Sequence, residues 1–222
     1  MKRIKLLSTI ILCLFFFNNV SSQEDIKNKV DYDLTLTSNY IWRDFLFDYE
    51  AIQTNITFNY KKTGLYFNAW NSVGNTKGND IQTTLTLGYT KALKNVELGA
   101  ALILYHPTFP GSREILISAA FPIKKVNTFV NIYTADNEAV YFSVGIPGQK
   151  LFSIKRHPIV FNTSLGYRTN DITINNGFRD LNVGLSMPIE TKQFTISFYS
   201  TYTNVLAQDR TRLQIGANVY FK

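Results

Sequence analysis

A single feature limits what this chain can fold into: from Val30 onward, apolar and polar residues alternate with a period of two over unusually long runs. Val30, Tyr32, Leu34, Leu36, Ser38, Tyr40 and Trp42 alternate with Asp31, Asp33, Thr35, Thr37 and Asn39. Ile52, Thr54, Ile56, Phe58 and Tyr60 then alternate with Gln53, Asn55, Thr57, Asn59 and Lys61. After Lys62-Thr63-Gly64, Leu65, Phe67 and Ala69 are set against Tyr66, Asn68, Trp70 and Ser72. A period of two puts successive side chains on opposite faces, so each run is a strand with one apolar face. Soluble strands usually hold about five or six residues. Runs of about ten or more match a tilted strand that crosses a bilayer.

The pattern continues to the C-terminus. Its apolar faces include Ile81 to Tyr89, Val96 to Leu104, Ile115 to Phe121, Val126 to Ile132, Val140 to Ile146, Ile159 to Tyr167, Leu181 to Met187, Phe194 to Tyr202 and Leu213 to Phe221, taken at alternate positions. About twelve strands result, an even number as closed bacterial barrels require. An open sheet would leave unpaired backbone groups in lipid, so strand one is expected to close on strand twelve. The fold class is therefore all-β: a closed antiparallel transmembrane β-barrel with short periplasmic turns. Lys61–Gly64, Lys91–Asn95, Pro122–Val126 and Pro188–Lys192 read as the tight turns. Phe45–Glu50, Gly74–Asp80, His106–Arg113 and Asn170–Gly177 read as longer outer loops. Pro147 to Pro158 is long for a periplasmic turn and reads as a capped short helix, or else as a miscounted hairpin.

Residues 1–22 read as a signal peptide. Lys2, Arg3 and Lys5 precede the apolar run Leu6 to Phe17, and Val20 and Ser22 suit cleavage before Gln23. Residues 23–222 then form one barrel domain. The formal charge is +7, and removing the three basic residues of the leader leaves +4, which does not suggest nucleic acid as a partner. Cys13 lies in the leader and is the one cysteine, so the mature chain has no thiol or disulfide chemistry.

One stretch resembles a known family. Ser38-Asn39-Tyr40-Ile41-Trp42-Arg43, then Ala51-Ile52-Gln53, Gly64-Leu65-Tyr66 and Ala69-Trp70-Asn71-Ser72 are similar to the ordered elements that open the TorF-type outer-membrane porins. Asp44 and Glu50 stand where that family has Gly and Pro, and weaker echoes follow at Gly99 to Pro107 and at Glu114. The resemblance covers roughly the first half of the chain. It implies a barrel in the bacterial outer membrane more firmly than it implies a substrate.

Catalytic and metal-binding patterns are poor. His106 and His157 precede Pro107 and Pro158 at opposite ends of the expected barrel, and no third group orients Ser112 against His106. No His, Cys or carboxylate cluster has metal-ligand spacing, so no enzyme, metal or cofactor is expected. Asp31 and Asp33 share the lumen face, where a solvated pair is the plain reading.

Function is expected in the lumen. Its alternate positions are mostly small or neutral, as at Thr35, Asn55, Ser118, Gly145, Gly166 and Gly216, which suits a hydrated interior. Twelve strands lie between the self-filled eight and the open sixteen, so a narrow pore follows. Trp70, Tyr105, Tyr133, Tyr141 and Tyr199 share the inward parity, either as stacking surfaces for sugar-like solutes or as fillers that narrow the lumen. Arg43, Arg168, Arg210 and Arg212 fall at the outer mouth with Glu114 as the main acidic counterpart, and closure is expected to bring Arg43 and Arg212 together. Such a ring can favour anions, or the arginines instead pair with carboxylates or lipid.

The expectation is a passive porin for small polar solutes with a weak anion preference. The alternative is an occluded barrel with a structural or surface-interaction role. Expected partners are outer-membrane lipid, the solutes, periplasmic chaperones and the barrel-assembly machinery.

Overall fold

The computed structural model describes residues 29–43, 45–60, 62–74, 81–106, 113–136, 139–169, 176–206 and 210–221. The expected signal peptide lies outside these residues, as do Ser112 and the tips of several longer loops.

Twelve strands follow one another in the chain: β1 (Lys29–Trp42), β2 (Phe45–Tyr60), β3 (Leu65–Val73), β4 (Gln82–Leu93), β5 (Val96–His106), β6 (Arg113–Ile123), β7 (Val126–Ala135), β8 (Val140–Ile154), β9 (His157–Thr169), β10 (Gly177–Glu190), β11 (Phe194–Val205) and β12 (Arg210–Phe221). Every strand pairs antiparallel with its neighbour in sequence, and β1 pairs with β12, so the sheet closes. The closing seam runs from Tyr32 opposite Phe221 to Thr37 opposite Gly216. Strand count and closure are as the alternation predicts. Closure leaves no sheet edge to pair with other chains.

Alternation also sets the two faces. Leu36, Phe58, Leu87, Leu102, Val144, Leu185, Phe198 and Ile215 are large apolar side chains exposed on the outside. That much exposed apolar surface on a closed barrel is a surface built for lipid. The buried positions Thr37, Ser72, Ala101, Glu114, Tyr141, Arg168 and Thr203 belong to the opposite parity and face the lumen. The core of this molecule is therefore its lumen.

One end, called here the turn end, carries the chain termini of the barrel and five tight connections after β2, β4, β6, β8 and β10. The β2–β3 turn is closed by Thr63 and Gly64 amides donating to the Tyr60 carbonyl. Gly64 has φ of +81°, and a Cβ there would lie 2.1 Å from the Thr90 carbonyl oxygen, so only glycine fits. Aromatic side chains collect at this end: Tyr60, Phe67 and Phe221 are exposed, and the Tyr32 and Phe221 rings sit 5.2 Å apart across the seam.

Three expectations are corrected. Phe45–Glu50 is not a loop but the start of β2, and the β1–β2 connection shrinks to residues 43–44. Pro147 to Pro158 is not helical: β8 and β9 run on to a two-residue turn at Lys155 and Arg156. Register shifts between Ile146 and Gln149 and between Lys150 and Phe152 absorb the surplus residues as bulges. Pro147, which lacks an N–H, is accommodated at the first of them.

Tyr40, expected on the lipid side with the apolar set of its run, instead has its ring 5.1 Å from that of Trp70. Trp70 pairs with Asn55, whose amide donates to Asp33 in the lumen, so Tyr40 is inside. The cause is an irregular end to β1. Thr37 bonds the Asn39 carbonyl, Ser38 takes the Ile215 amide, and the register with β2 shifts after Tyr40.

Candidate functional site: a constriction across the lumen

The turn-side half of the lumen is lined by amide, hydroxyl and carboxylate groups joined across strands. Asn55 and Asn218 donate to the two oxygens of Asp33 at 2.9 and 3.1 Å, and Asn59 donates to Asp31 at 2.8 Å. Asn68 donates to Asn55 and to Thr57, and Asn218 also donates to Thr35 at 2.7 Å. At the rim, Asp31 pairs with Lys29 at 2.6 Å and accepts from the Tyr220 hydroxyl. Asp31 and Asp33 are thus held within an amide lattice. Side chains in this region are half-buried, so solvent reaches them from the lumen.

The loop-side half is different. Arg43, in the β1–β2 turn, sends its guanidinium across the lumen to Glu114 on β6, with Nη1–Oε1 and Nη2–Oε2 both 2.7 Å. The two side chains are only 8% and 5% exposed. Burial of a charged pair that spans the lumen makes this level a constriction. Arg43 holds a left-handed backbone, φ 57°, which is uncommon for a non-glycine residue.

Three of the inward tyrosines enclose this pair. The guanidinium carbon of Arg43 lies 4.5 Å from the Tyr133 ring centre and 4.4 Å from that of Tyr141, within cation–π range of both. The Tyr105 hydroxyl donates to Glu114 at 2.7 Å. Arg168, buried on β9, lies 6.0 Å from the other ring partner, Tyr141. Tyr141 in turn donates to Asp180 at 2.8 Å, and Asp180 accepts from Asn182, which reaches Ser164 and Thr203. The result is one connected polar layer across the barrel.

The charged residues expected at the mouth and the aromatics expected in the lumen therefore divide. Arg43, Arg168, Glu114, Tyr105, Tyr133 and Tyr141 converge. Arg210 stays exposed opposite Val205, and Arg212 is half-buried opposite Thr203. Arg43 turns inward to Glu114 instead of forming a rim pair with Arg212, because a carboxylate within reach of a buried guanidinium is worth far more than a second cation. Trp70 and Tyr199 lie apart from the cluster. Trp70 packs against Tyr40, and the Tyr199 ring lies over Gly216, where a Cβ would come within 2.5 Å of it.

Gly216 is one of several such cradles. Tyr66 lies over Gly88 and Tyr141 over Gly166 in the same way. The small inward residues do not simply widen the lumen; they make room for rings laid flat on its wall.

One buried residue here, Arg179, had no signal in the alternation, since it shares the parity of lipid-facing Leu181. Arg179 and Asp180 are consecutive, yet they are 2% and 1% exposed. A register shift between Phe178 and Asp180 against β9 makes Arg179 the extra residue of a bulge, which lets both neighbours be buried. His106 and His157 end β5 and begin β9, at opposite ends of the barrel.

A closed twelve-stranded antiparallel barrel with an apolar exterior and a polar lumen has the architecture of outer-membrane barrels. No family model matches the sequence, and no curated protein is similar to it. Among solved structures, a KdgM porin superposes with a TM-score of 0.56 at 8% identity, covering 88% of this chain and 99% of the porin. A KdgM porin in complex with disordered oligogalacturonate gives 0.54 at 9% identity, with 88% and 99% covered. At these identities the likeness is one of fold.

Proposed function

We propose that this protein is an outer-membrane, porin-like channel for passive diffusion of small polar solutes, narrowed by the layer around Arg43 and Glu114. The observation that carries the reading is a closed barrel whose lumen is walled by hydroxyl, amide and charged groups while its outside is apolar. The resemblance of Ser38 to Ser72 to TorF-type porins and the KdgM-like fold support it. The oligogalacturonate of the second KdgM structure supports saccharides among the solutes. Export behind the leader of residues 1–22, and delivery by periplasmic chaperones to the barrel-assembly machinery, belong to the same reading.

Selectivity follows from the layer's charge. Buried toward the loop end are Arg43, Arg168 and Arg179 against Glu114 and Asp180, three cations to two anions, one formal positive charge in excess. Arg210 and Arg212 add to it at the mouth, and Asp31, Asp33 and Glu97 oppose it at the far end. A weak anion preference results.

A second reading is favoured by the burial of the Arg43–Glu114 pair: the layer shuts the lumen, and the barrel serves a structural or surface role. Single-channel recording in planar bilayers separates the two. Small discrete steps from the wild-type protein support the channel. A silent wild type that stays silent when Arg43 and Glu114 are both changed to glutamine supports the occluded barrel.

A further inference from the structure

The turn end carries a pattern that a narrow channel does not need. Each of its five connections holds an exposed cation: Lys62 after β2, Lys94 after β4, Lys124 and Lys125 after β6, Lys155 and Arg156 after β8, and Lys192 after β10. None of these turns, residues 62–64, 94–95, 124–125, 155–156 and 191–193, contains an acidic residue. The carboxylates nearby, Asp31, Asp33, Glu97 and Glu190, sit on the strands, and Asp31 is paired with Lys29.

Backbone geometry makes the choice of lysine costly. Lys94, Lys124 and Lys155 have φ of 54°, 57° and 55°, a left-handed conformation that glycine or asparagine adopts at less cost. Three turns that would be served better locally by another residue all carry a positive charge.

The β8–β9 hairpin adds apolar surface to this ring. Pairing of β7 with β8 stops at Phe129–Gly145, and pairing of β9 with β10 stops at Val160–Ser186. Residues 149–159 thus form a tip paired only with itself. Leu151, Phe152 and Ile154 are 52%, 55% and 53% exposed there, beside Lys150, Lys155 and Arg156. Exposed apolar side chains mixed with cations at the edge of an apolar belt suit the boundary between acyl chains and headgroups.

We propose that the turn end of this barrel binds anionic phospholipid headgroups, through the ring of turn cations and the β8–β9 tip. Charge gives the sign of the partner, and placement gives its kind. The cations are spread around the circumference, at five of the six alternate gaps between strands at this end, each next to lipid-facing residues. A globular partner docking on one side could not reach them all, whereas a lipid leaflet surrounds the barrel. The inference rests on the membrane reading above but not on the lumen's being open.

The test uses the full barrel reconstituted in phosphatidylcholine with trace spin-labelled phosphatidylglycerol or phosphatidylcholine, reading the motionally restricted fraction by electron spin resonance. Wild type should prefer the glycerol lipid by about threefold or more, and the preference should fall as salt is raised. A variant combining Lys94→Gln, Lys124→Gln, Lys125→Gln, Lys155→Gln and Arg156→Gln should lose most of it. Arginine at the four lysine positions should retain it, which excludes misfolding as the cause. Equal restriction of both lipids by the wild type would overturn the proposal. So would a preference that survives the glutamine variant, or the absence of any preference together with tight binding of a soluble acidic polypeptide. No restricted lipid of either kind would instead show that the barrel is not membrane-embedded, a failure of the underlying reading.

Discussion

Arg43, in the β1–β2 turn, and Glu114, on β6, face each other across the lumen through two parallel 2.7 Å hydrogen bonds. They are separated by 71 residues in sequence. A planar guanidinium fits a carboxylate in this fork geometry, and two tyrosine faces complete its surroundings where water is excluded. The pair is a crossbar: it fixes the width of the lumen at the loop end.

Removing one partner should destabilise more than removing both. Arg43→Gln or Glu114→Gln strands a buried charge, at a cost of about 3–5 kcal/mol. The double glutamine variant has no such charge and should recover much of that loss. Urea unfolding in lipid or detergent, set out as a double-mutant cycle, gives the coupling. Additive single effects would show that the two charges do not act as a pair.

The same double variant should conduct better. Glutamine is shorter than arginine and cannot reach across to position 114 while stacked between Tyr133 and Tyr141. Single-channel conductance should rise above that of wild type, and an unchanged conductance would place the constriction elsewhere.

Ion preference should follow the charge of the layer. Changing Arg43 alone to glutamine removes the one excess positive charge and leaves Glu114 in place, so the reversal potential in a salt gradient should shift toward cations. Because the layer is buried, the shift should persist at physiological salt, where exposed charges are screened over about 8 Å. Arg210→Gln, at an exposed position, should move it less. A cation-selective wild type would contradict the proposed preference.

In and out can be tested within one strand. Leu85 is exposed on the lipid side, and its neighbour Thr84 faces the lumen between Trp70 and Tyr105. Leu85→Arg should cost about 2–4 kcal/mol in folding into lipid, and Thr84→Arg much less. Equal losses would mean that β4 is turned over.

Glycine cradles give a packing test. A Cβ on Gly166 would lie 2.2 Å from the Tyr141 hydroxyl and 2.5 Å from Asp180 Oδ2, displacing the bond between them. Gly166→Ala should therefore cost about 1–3 kcal/mol by overpacking. At Gly148 the nearest atom is a Val160 methyl at 3.4 Å, so Gly148→Ala should be close to neutral. Thermal unfolding of the two variants side by side decides it.

Local chemistry determined most of the architecture. A period of two fixes which face each side chain takes, and strands too long for a soluble sheet have to close on themselves in lipid. Twelve strands, their order and the closure of β1 on β12 follow from that alone. The inward parity of Arg43, Glu114, Tyr105, Tyr133, Tyr141 and Arg168 was equally legible, because parity is a property of neighbours in the chain. What only the tertiary structure decided is which of them meet. Contact across a lumen depends on the size and tilt of the whole ring, and no local pattern encodes that, so Arg43 finds Glu114 while Arg212 stays at the rim. Bulges were hidden for the same reason. One extra residue at Arg179, or an irregular strand end around Tyr40, breaks the alternation without a sequence mark, and each turns a side chain into the lumen.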